Sequence, residues 1–170
     1  MLETAIFAGG CFWCTTQVFD EEDGVYEVIS GYIGGQEDNP TYEEVKAQKT
    51  GHAEATRFVF DPSMISYEEL LEVFFSIIDP TDAGGQFMDR GYSYRPAIFY
   101  TTEKQKELAI KKVNDLELSG EYEDEIVVEI VEATKFWPAE EYHQDFHKKE
   151  PKLMTKEKED RKKYEMENKK

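Results

Sequence analysis

Residues 4–14 read TAIFAGGCFWC. The apolar run at residues 4–8 predicts a β-strand, the pair Gly9-Gly10 a turn, and residues 11–19 a helix. Cys11 therefore lies at the amino end of the predicted helix, where unpaired backbone N–H groups and the helix dipole favour an anion. We expect this placement to lower the pKa of the Cys11 thiol and to make it reactive.

Cys14 is the only other cysteine of the chain. It follows Cys11 by about one helical turn, so the two sulfurs can form a disulfide after a modest local rearrangement. Two cysteines are too few for a disulfide framework, and a close pair in a reducing compartment is typically catalytic, redox-active or metal-binding. The pattern indicates an attacking thiol and a resolving thiol.

Three kinds of site remain open for this pair. One is a thioredoxin-like disulfide exchanger, which would not need Phe12-Trp13 between its thiols. A second is a zinc site completed by His143 and His147, although these lie much further along the chain than the ~12–15-residue gap of a zinc finger. The third is a peroxide- or sulfoxide-directed enzyme, whose thiolate becomes a sulfenic acid that the neighbouring thiol rescues. The third alternative accounts for both cysteines and for the aromatic residues between them.

The rest of the chain alternates between strand and helix patterns. Capping-box spacing, in which Glu follows Ser or Thr by three residues, predicts helix starts at Thr41 and Ser66. The predicted strands cover residues 4–8, 25–32, 54–60, 97–100 and 125–133, and the predicted helices include 11–19, 102–118 and 141–146. We therefore predict one α+β domain at residues 1–147, with a mixed β-sheet flanked by helices. Residues 148–170 are a charged tail that either continues as a helix or frays.

Residues 79–94 show no periodicity, yet they carry many polar and aromatic groups. A loop of this length inside a domain is usually functional or disordered. Both alternatives are open for this segment.

The chain has a formal net charge of −17, with its only basic run at residues 148–170. Neutralising phosphates requires clustered Lys and Arg, so this charge argues against a nucleic-acid partner. No apolar stretch reaches the ~18 residues that a membrane span needs, and the first residues lack the pattern of a signal peptide. We expect a cytoplasmic protein, monomeric by default.

Ordered motifs along the chain resemble one known family. The segment Gly10-Cys11-Phe12-Trp13 is similar to the signature of the peptide methionine sulfoxide reductase A family, whose members act on the S epimer. Further similar segments follow in the same order: Gly31-Tyr32, residues 39–45 (NPTYEEV), 51–54 (GHAE), 61–62 (DP), 79–81 (DPT), 89–95 (DRGYSYR) and 140–146 (EEYHQDF). The resemblance covers the chain to about Lys148 and implies a ferredoxin-like variant of the α+β fold.

The resemblance implies a role for three reacting groups. Cys11 would attack the sulfoxide sulfur and become a sulfenic acid, and Cys14 would then form a disulfide with it. Glu54 would be the acid that protonates the departing oxygen, its pKa raised by burial. Thioredoxin, or dithiothreitol in vitro, would reduce the disulfide, and no bound cofactor or metal is implied.

The resemblance also implies five substrate-binding residues. Tyr42 and Tyr94 correspond to two tyrosines that bind the sulfoxide oxygen, and Asp89 to an aspartate that organises the site. Phe12 and Trp13 would form the apolar wall for the methyl group of methionine sulfoxide, in peptides and as the free amino acid.

The chain departs from the family pattern in several places. It lacks the distal carboxyl-terminal cysteines that many members use for recycling, so Cys14 is the only protein thiol available to resolve Cys11. Thr16 stands where many members carry glutamate, and Ser93 and Pro96 replace common glutamine and serine. His52, His143 and Asp145 are interpreted as structural, since no step needs an imidazole base once the thiolate is stabilised.

Overall fold

The computed structural model describes residues 1–168. The strands are β1 Glu3–Ala8, β2 Val25–Ile33, β3 Ala53–Phe60, β4 Gly85–Gln86, β5 Asp89–Arg90, β6 Ala97–Tyr100, β7 Glu129–Glu132 and β8 Trp137–Pro138. The helices are α1 Phe12–Asp20, α2 Tyr42–Lys46, α3 Tyr67–Ile77, α4 Glu103–Ser119, α5 Phe146–Lys149 and α6 Pro151–Glu167, and 3₁₀ turns cover Tyr92–Tyr94 and Glu141–His143.

Six strands form one sheet in the order β7-β6-β1-β3-β2-β8. Neighbouring strands are antiparallel except β6 and β7, which run parallel. Strands β4 and β5 pair separately as a short hairpin within the aperiodic segment 79–94. The predicted α+β domain, with a mixed sheet flanked by helices, is confirmed.

The central strand β1 packs on both of its faces. Ala5 and Phe7 belong to one apolar cluster, and Ile6 and Ala8 to another. Because successive side chains of a strand point to opposite faces, a strand covered on both sides is apolar throughout. The first cluster also contains side chains from three helices: Phe19 of α1, Leu70, Leu71, Phe74 and Phe75 of α3, and Ala109 of α4. Packing with α3 and α4 in this cluster holds α1, and with it Cys11, against the sheet.

The two predicted capping boxes are confirmed. At Thr41 and at Ser66 the hydroxyl accepts a hydrogen bond from the backbone N–H of the Glu three residues later. The side chain of that Glu in turn accepts the backbone N–H of the capping residue. Both interactions join residues three apart, so local sequence is enough to predict them.

Two predicted elements are shorter in the structure. The strand expected at 125–133 is reduced to β7, because only these four residues face the four-residue β6, and the Val127 N–H instead donates to the Pro80 carbonyl. The helix expected at 141–146 is split, because Asp145 has a left-handed backbone with φ of 54°. A 3₁₀ turn precedes Asp145 and α5 follows it.

Helix α6 lies within the basic segment 148–170. The Met154 side chain is buried in a cluster with Cys14 and Phe146, so the amino-terminal part of this helix packs on α1. The division of the chain at residue 147 stays a prediction.

Within the part of the chain that the structure describes, no helix has both the length and the apolar character required to cross a lipid bilayer.

Candidate active site

Cys11 lies where β1 turns into α1. Gly10 makes this turn with a positive φ of 81°, and a Cβ added there would lie 2.8 Å from the Cβ of Gln86. Cys11 is the N-cap residue of α1, with an extended backbone, and its carbonyl accepts the Cys14 N–H at 3.2 Å. Its side chain is buried. The turn thus places a buried thiol at the amino end of the helix, as residues 4–14 predict.

The expected lowering of the Cys11 pKa is wrong. Burial raises the pKa of the thiol well above its usual range, and the nearby carboxyl groups of Glu54 and Asp89 and the Cys14 thiol raise it further. The Trp13 backbone N–H, at the helix end, acts in the opposite direction but is outweighed. The helix end stabilises an anion only while competing burial is small, so Cys11 is a protonated thiol in the resting protein.

Glu54 lies on β3 and is almost completely buried. Its Oε1 accepts the backbone N–H of Phe12, the residue after Cys11, at 3.2 Å. Its Oε2 is buried and has no partner of good hydrogen-bond geometry among residues 1–168, although the Tyr94 hydroxyl is close enough to favour the carboxylate. Burial is the main cause that raises the pKa of Glu54 to about 8, with a smaller contribution from Asp89. The carboxyl is therefore mainly protonated at neutral pH.

Tyr42 and Tyr94 approach this carboxyl from two different segments. Tyr42 is the first residue of α2, and Tyr94 ends the 3₁₀ turn after β5. Burial raises the pKa of both phenols, and the proximity of Glu54 raises it further. Both hydroxyls keep their protons at neutral pH and can donate hydrogen bonds.

Asp89 completes the polar side of the site. It lies on β5 and is half-buried, and burial raises its pKa while Arg161 and Lys46 lower it. Its carboxylate influences the pKa of Cys11 and of Glu54. The aperiodic segment 79–94 therefore contributes Asp89 and Tyr94 to the same site.

Phe12 and Trp13 form the apolar side. The Phe12 ring is fully buried, with centroid distances of 5.8 Å to Tyr32 and 6.2 Å to Tyr42. The Trp13 ring is partly exposed and stacks on Phe146 at 3.8 Å with an interplanar angle of 6°. Stacking fixes the plane of the Trp13 ring, so this wall is rigid before any ligand arrives.

His143 supports this wall, a contact that sequence reasoning missed. Trp13 Nε1–H donates to His143 Nδ1 at 3.0 Å, so the imidazole is neutral with its proton on Nε2. Its ring centroid lies 4.2 Å from that of Tyr42, and burial lowers its pKa. No signal near His143 in the sequence indicates a contact with Trp13, because the two residues come from opposite ends of the chain.

Gln48, also missed, joins the two tyrosine segments. The backbone N–H of Ser93 donates to Gln48 Oε1 at 2.9 Å, and Gln48 Nε2 donates to the Ser93 hydroxyl at 2.8 Å. A Cβ on Gly91 would lie 2.6 Å from the amide carbon of Gln48, so glycine is required there for this close approach. The Gln48 amide therefore ties the end of α2 to the turn that carries Tyr94.

We expect Gln48→Ala to lower kcat/KM for the reaction at this site by about ten-fold, since it removes two hydrogen bonds of ~0.5–1.5 kcal/mol each that position Tyr94. Steady-state kinetics checks this, with the exposed Gln36→Ala as a matched control. An unchanged kcat/KM accompanied by a lower melting temperature would assign Gln48 to stability alone.

The departures from the family pattern are accommodated locally. The Thr16 hydroxyl is buried and hydrogen-bonds to the hydroxyls of Ser30 at 2.8 Å and Thr56 at 3.0 Å. Ser93 is the partner of Gln48, and the Pro96 carbonyl accepts the Glu129 N–H at 3.2 Å. Thr16 thus belongs to a packed hydroxyl cluster, whereas Ser93 helps to shape the Tyr94 turn.

Cys11 and Cys14 are both free thiols. The histidines of the zinc alternative have other contacts: His143 accepts from Trp13, and His147 Nε2 lies 3.0 Å from Asp20 Oδ2. Among residues 1–168, no three His, Cys, Asp or Glu side chains are grouped so that they could hold a metal ion.

Comparisons with known proteins agree on one family. The family model described as "Peptide methionine sulfoxide reductase" matches residues 3–170. The "Peptide methionine sulfoxide reductase MsrA" of Bacillus licheniformis is 56% identical over 153 residues, which are 90% of this chain and 84% of that protein. The crystal structure of Mxr1 from Saccharomyces cerevisiae in reduced form is 31% identical, covers 89% of this chain and 87% of its own, and gives a TM-score of 0.81.

A further solved structure is Mxr1 from Saccharomyces cerevisiae in complex with Trx2. It is 22% identical, covers 85% of this chain and 84% of its own, and has a TM-score of 0.57. At this identity the likeness concerns the fold alone.

Proposed function

This chain belongs to the peptide methionine sulfoxide reductase A family, and we propose that it reduces the S epimer of methionine sulfoxide, in proteins and as the free amino acid, with Cys11 as nucleophile and Glu54 as acid. The observation that carries this assignment is the buried, protonated Glu54 carboxyl, which accepts the N–H of the residue after Cys11 through one oxygen and lies near the Tyr94 hydroxyl.

The first chemical step forms a bond between Cys11 Sγ and the sulfoxide sulfur. Glu54 gives its proton to the sulfoxide oxygen, and the Cys11 thiol proton replaces it on the carboxyl, so no external acid is consumed. The hydroxyl then passes to Cys11 Sγ as the bond to the substrate sulfur breaks. Methionine leaves and Cys11 is a sulfenic acid. Because the thiol of Cys11 is protonated at rest, this relay also accounts for how the nucleophile loses its proton.

The neighbouring side chains orient the sulfoxide for this step. The Tyr42 and Tyr94 hydroxyls donate to its oxygen, and Asp89 holds the polar side of the site in place. Phe12 and Trp13 contact its methyl group. A polar side opposite an apolar side distinguishes oxygen from methyl at the sulfur centre, which is the basis for choosing one epimer.

Two further reactions return Cys11 from the sulfenic acid to the thiol. Cys14 attacks Cys11 Sγ, water leaves, and a Cys11-Cys14 disulfide remains. Thioredoxin then reduces this disulfide, with dithiothreitol as a substitute in vitro, and the enzyme needs no bound cofactor. Support comes from the pair of free thiols within one turn of α1 and from membership of the family. We further propose a monomeric enzyme that works in the cytoplasm, where its cysteines stay reduced, with residues 1–147 as the catalytic domain.

Turnover on the two separated epimers tests this function. With thioredoxin, thioredoxin reductase and NADPH, we expect NADPH oxidation with the S epimer and none above background with the R epimer. Insulin reduction, assayed in parallel, measures general disulfide exchange. Equal rates with both epimers would reject the proposed site, and insulin reduction without sulfoxide turnover would identify a disulfide oxidoreductase instead.

A further inference from the structure

One face of α6 is directed at the body of the protein. Met154 is buried, Glu157, Arg161 and Tyr164 are half-buried, and the four follow one another at intervals of three or four. This spacing places all four on one side of a helix. Met154 packs on Cys14, so the same side of α6 runs along the resolving thiol.

Arg161 is held in a defined position on this face. Its Nη2 donates to the carbonyl of Ile77, the last residue of α3, at 2.6 Å. Its guanidinium carbon lies 4.2 Å from the centroid of the Phe87 ring. A helix end leaves its last carbonyls unpaired and carries partial negative charge, which suits a guanidinium. Arg161 is therefore anchored between α3 and the segment between strands β4 and β5.

Arg161 and Cys14 line the same cavity, which has a volume of about 780 Å³. The positive charge of the Arg161 guanidinium lowers the pKa of the Cys14 thiol. Ile77 and Ile78, together with Phe87, form part of the apolar lining. A guanidinium that is fixed by two other contacts and borders the same cavity as a thiol is well placed to hold the thiolate.

We propose that Arg161 is a positioning residue that stabilises Cys14 as the thiolate and directs it toward the sulfenic acid of Cys11. This inference rests on the proposed function, in which Cys14 is the resolving thiol. It gives α6 a part in the reaction and extends the functional unit beyond residue 147.

Arg161 is the charged group that favours the thiolate form of Cys14. Burial raises the pKa of Cys14, and Glu157 on α6 and Asp89 on β5 raise it further, while Arg161 lowers it through its charge and its hydrogen bond. The Cys11 thiol also lies near Cys14, three residues before it in the chain. The other titratable groups that line the cavity are Asp79, Glu121, Tyr122, Glu123, Asp124, Lys158, Lys162, Tyr164 and Glu165. The net effect is a raised pKa, so Arg161 increases a thiolate fraction that burial and the two carboxyl groups otherwise hold still lower.

The step that Arg161 assists is balanced within the site. The Cys14 thiol gives up its proton, the thiolate attacks Cys11 Sγ, the S–O bond of the sulfenic acid breaks, and the departing hydroxide takes up that proton to leave as water. The electron pair of Cys14 forms the disulfide bond, so Cys14 is oxidised and the sulfenic sulfur of Cys11 is reduced. No other reactant is needed, and the rate depends on the thiolate fraction of Cys14.

Rapid mixing of the reduced enzyme with the S epimer tests the proposal, because methionine release and disulfide formation are measured separately. For Arg161→Gln we expect methionine release within two-fold of the wild type, disulfide formation slower by about ten-fold at pH 7, and a midpoint of its pH profile about one unit higher. Arg161→Lys restores part of the rate. Lys163→Gln makes the same charge change at an exposed position of α6 and leaves both rates unchanged.

Equal pH midpoints for disulfide formation in Arg161→Gln and Lys163→Gln would overturn the proposal. It would also be overturned if Arg161→Gln slowed methionine release and disulfide formation equally and had a lower melting temperature. Cys14→Ser separates this failure from that of the proposed function. If Cys14→Ser still recycles with thioredoxin, Cys14 is not the resolving thiol. If it does not recycle while Arg161→Gln resolves normally, only the role of Arg161 is rejected.

Discussion

Cys11→Ser is expected to abolish reduction of methionine sulfoxide with any reductant. A serine hydroxyl cannot form the sulfur–sulfur bond to the sulfoxide, nor accept its oxygen as a sulfenic acid. The change leaves the N-cap position in place, because serine is itself a favoured N-cap residue. Methionine release after one hour with excess dithiothreitol measures the effect, and we expect no signal above that of enzyme-free buffer.

Cys14→Ser is the matched control for this substitution, since it makes the same chemical change at the other thiol. It should release one methionine per enzyme in a single turnover and then stop when thioredoxin is the reductant. Substantial methionine release by Cys11→Ser would move the nucleophile to another residue. A burst of methionine release from Cys11→Ser, with none from Cys14→Ser, would show that Cys14 is the nucleophile and Cys11 the resolving thiol.

Glu54→Gln is expected to slow the chemical step by about 10²–10⁴-fold, the range typical for loss of a general acid, with little change in substrate binding. The amide is similar in size and can still accept the Phe12 N–H through its oxygen, but it has no carboxyl proton to give. Single-turnover methionine release, measured against substrate concentration, separates the rate of the step from binding. The exposed Glu43→Gln serves as control and should behave as the wild type.

The pH dependence gives an independent check on Glu54. Its pKa of about 8 means that the protonated acid is lost as the pH rises through that value, so the wild-type rate should fall on the alkaline side with a midpoint near 8. The residual rate of Glu54→Gln should not show that decline. A wild-type rate that stays level from pH 7 to 9.5 would contradict the role of Glu54 as acid.

The same carboxyl links stability to pH. Its pKa is raised in the folded protein above the 4.5 of an ordinary Glu, so its contribution to the free energy of unfolding is greatest below pH 4.5 and is lost as the pH rises through about 8. Glutamine does not titrate, so the melting temperature of Glu54→Gln relative to the wild type should increase across this interval.

Much of the fold follows from neighbouring residues in the sequence. The capping boxes at Thr41 and Ser66 join residues three apart, and the run at residues 4–14 places Cys11 at a helix start by turn chemistry alone. Ordered motifs such as residues 10–13 also identify the family, which the comparisons confirm. In each case the deciding interaction or pattern lies within a few residues of the chain.

Tertiary structure alone decided the electrostatics and the supports of the site. The pKa of Cys11 is raised, whereas its position at a helix end predicts a lower value. The causes are burial and the carboxyl groups of Glu54 and Asp89, which come from distant segments of the chain. His143 contacts Trp13, and Gln48 contacts Ser93 beside Tyr94, only after the chain has folded. The residues of the sequence determined which reacting groups are present and which helix carries the thiols. Protonation and positioning depend instead on distances in space and on exclusion of water, which spacing along a chain does not specify.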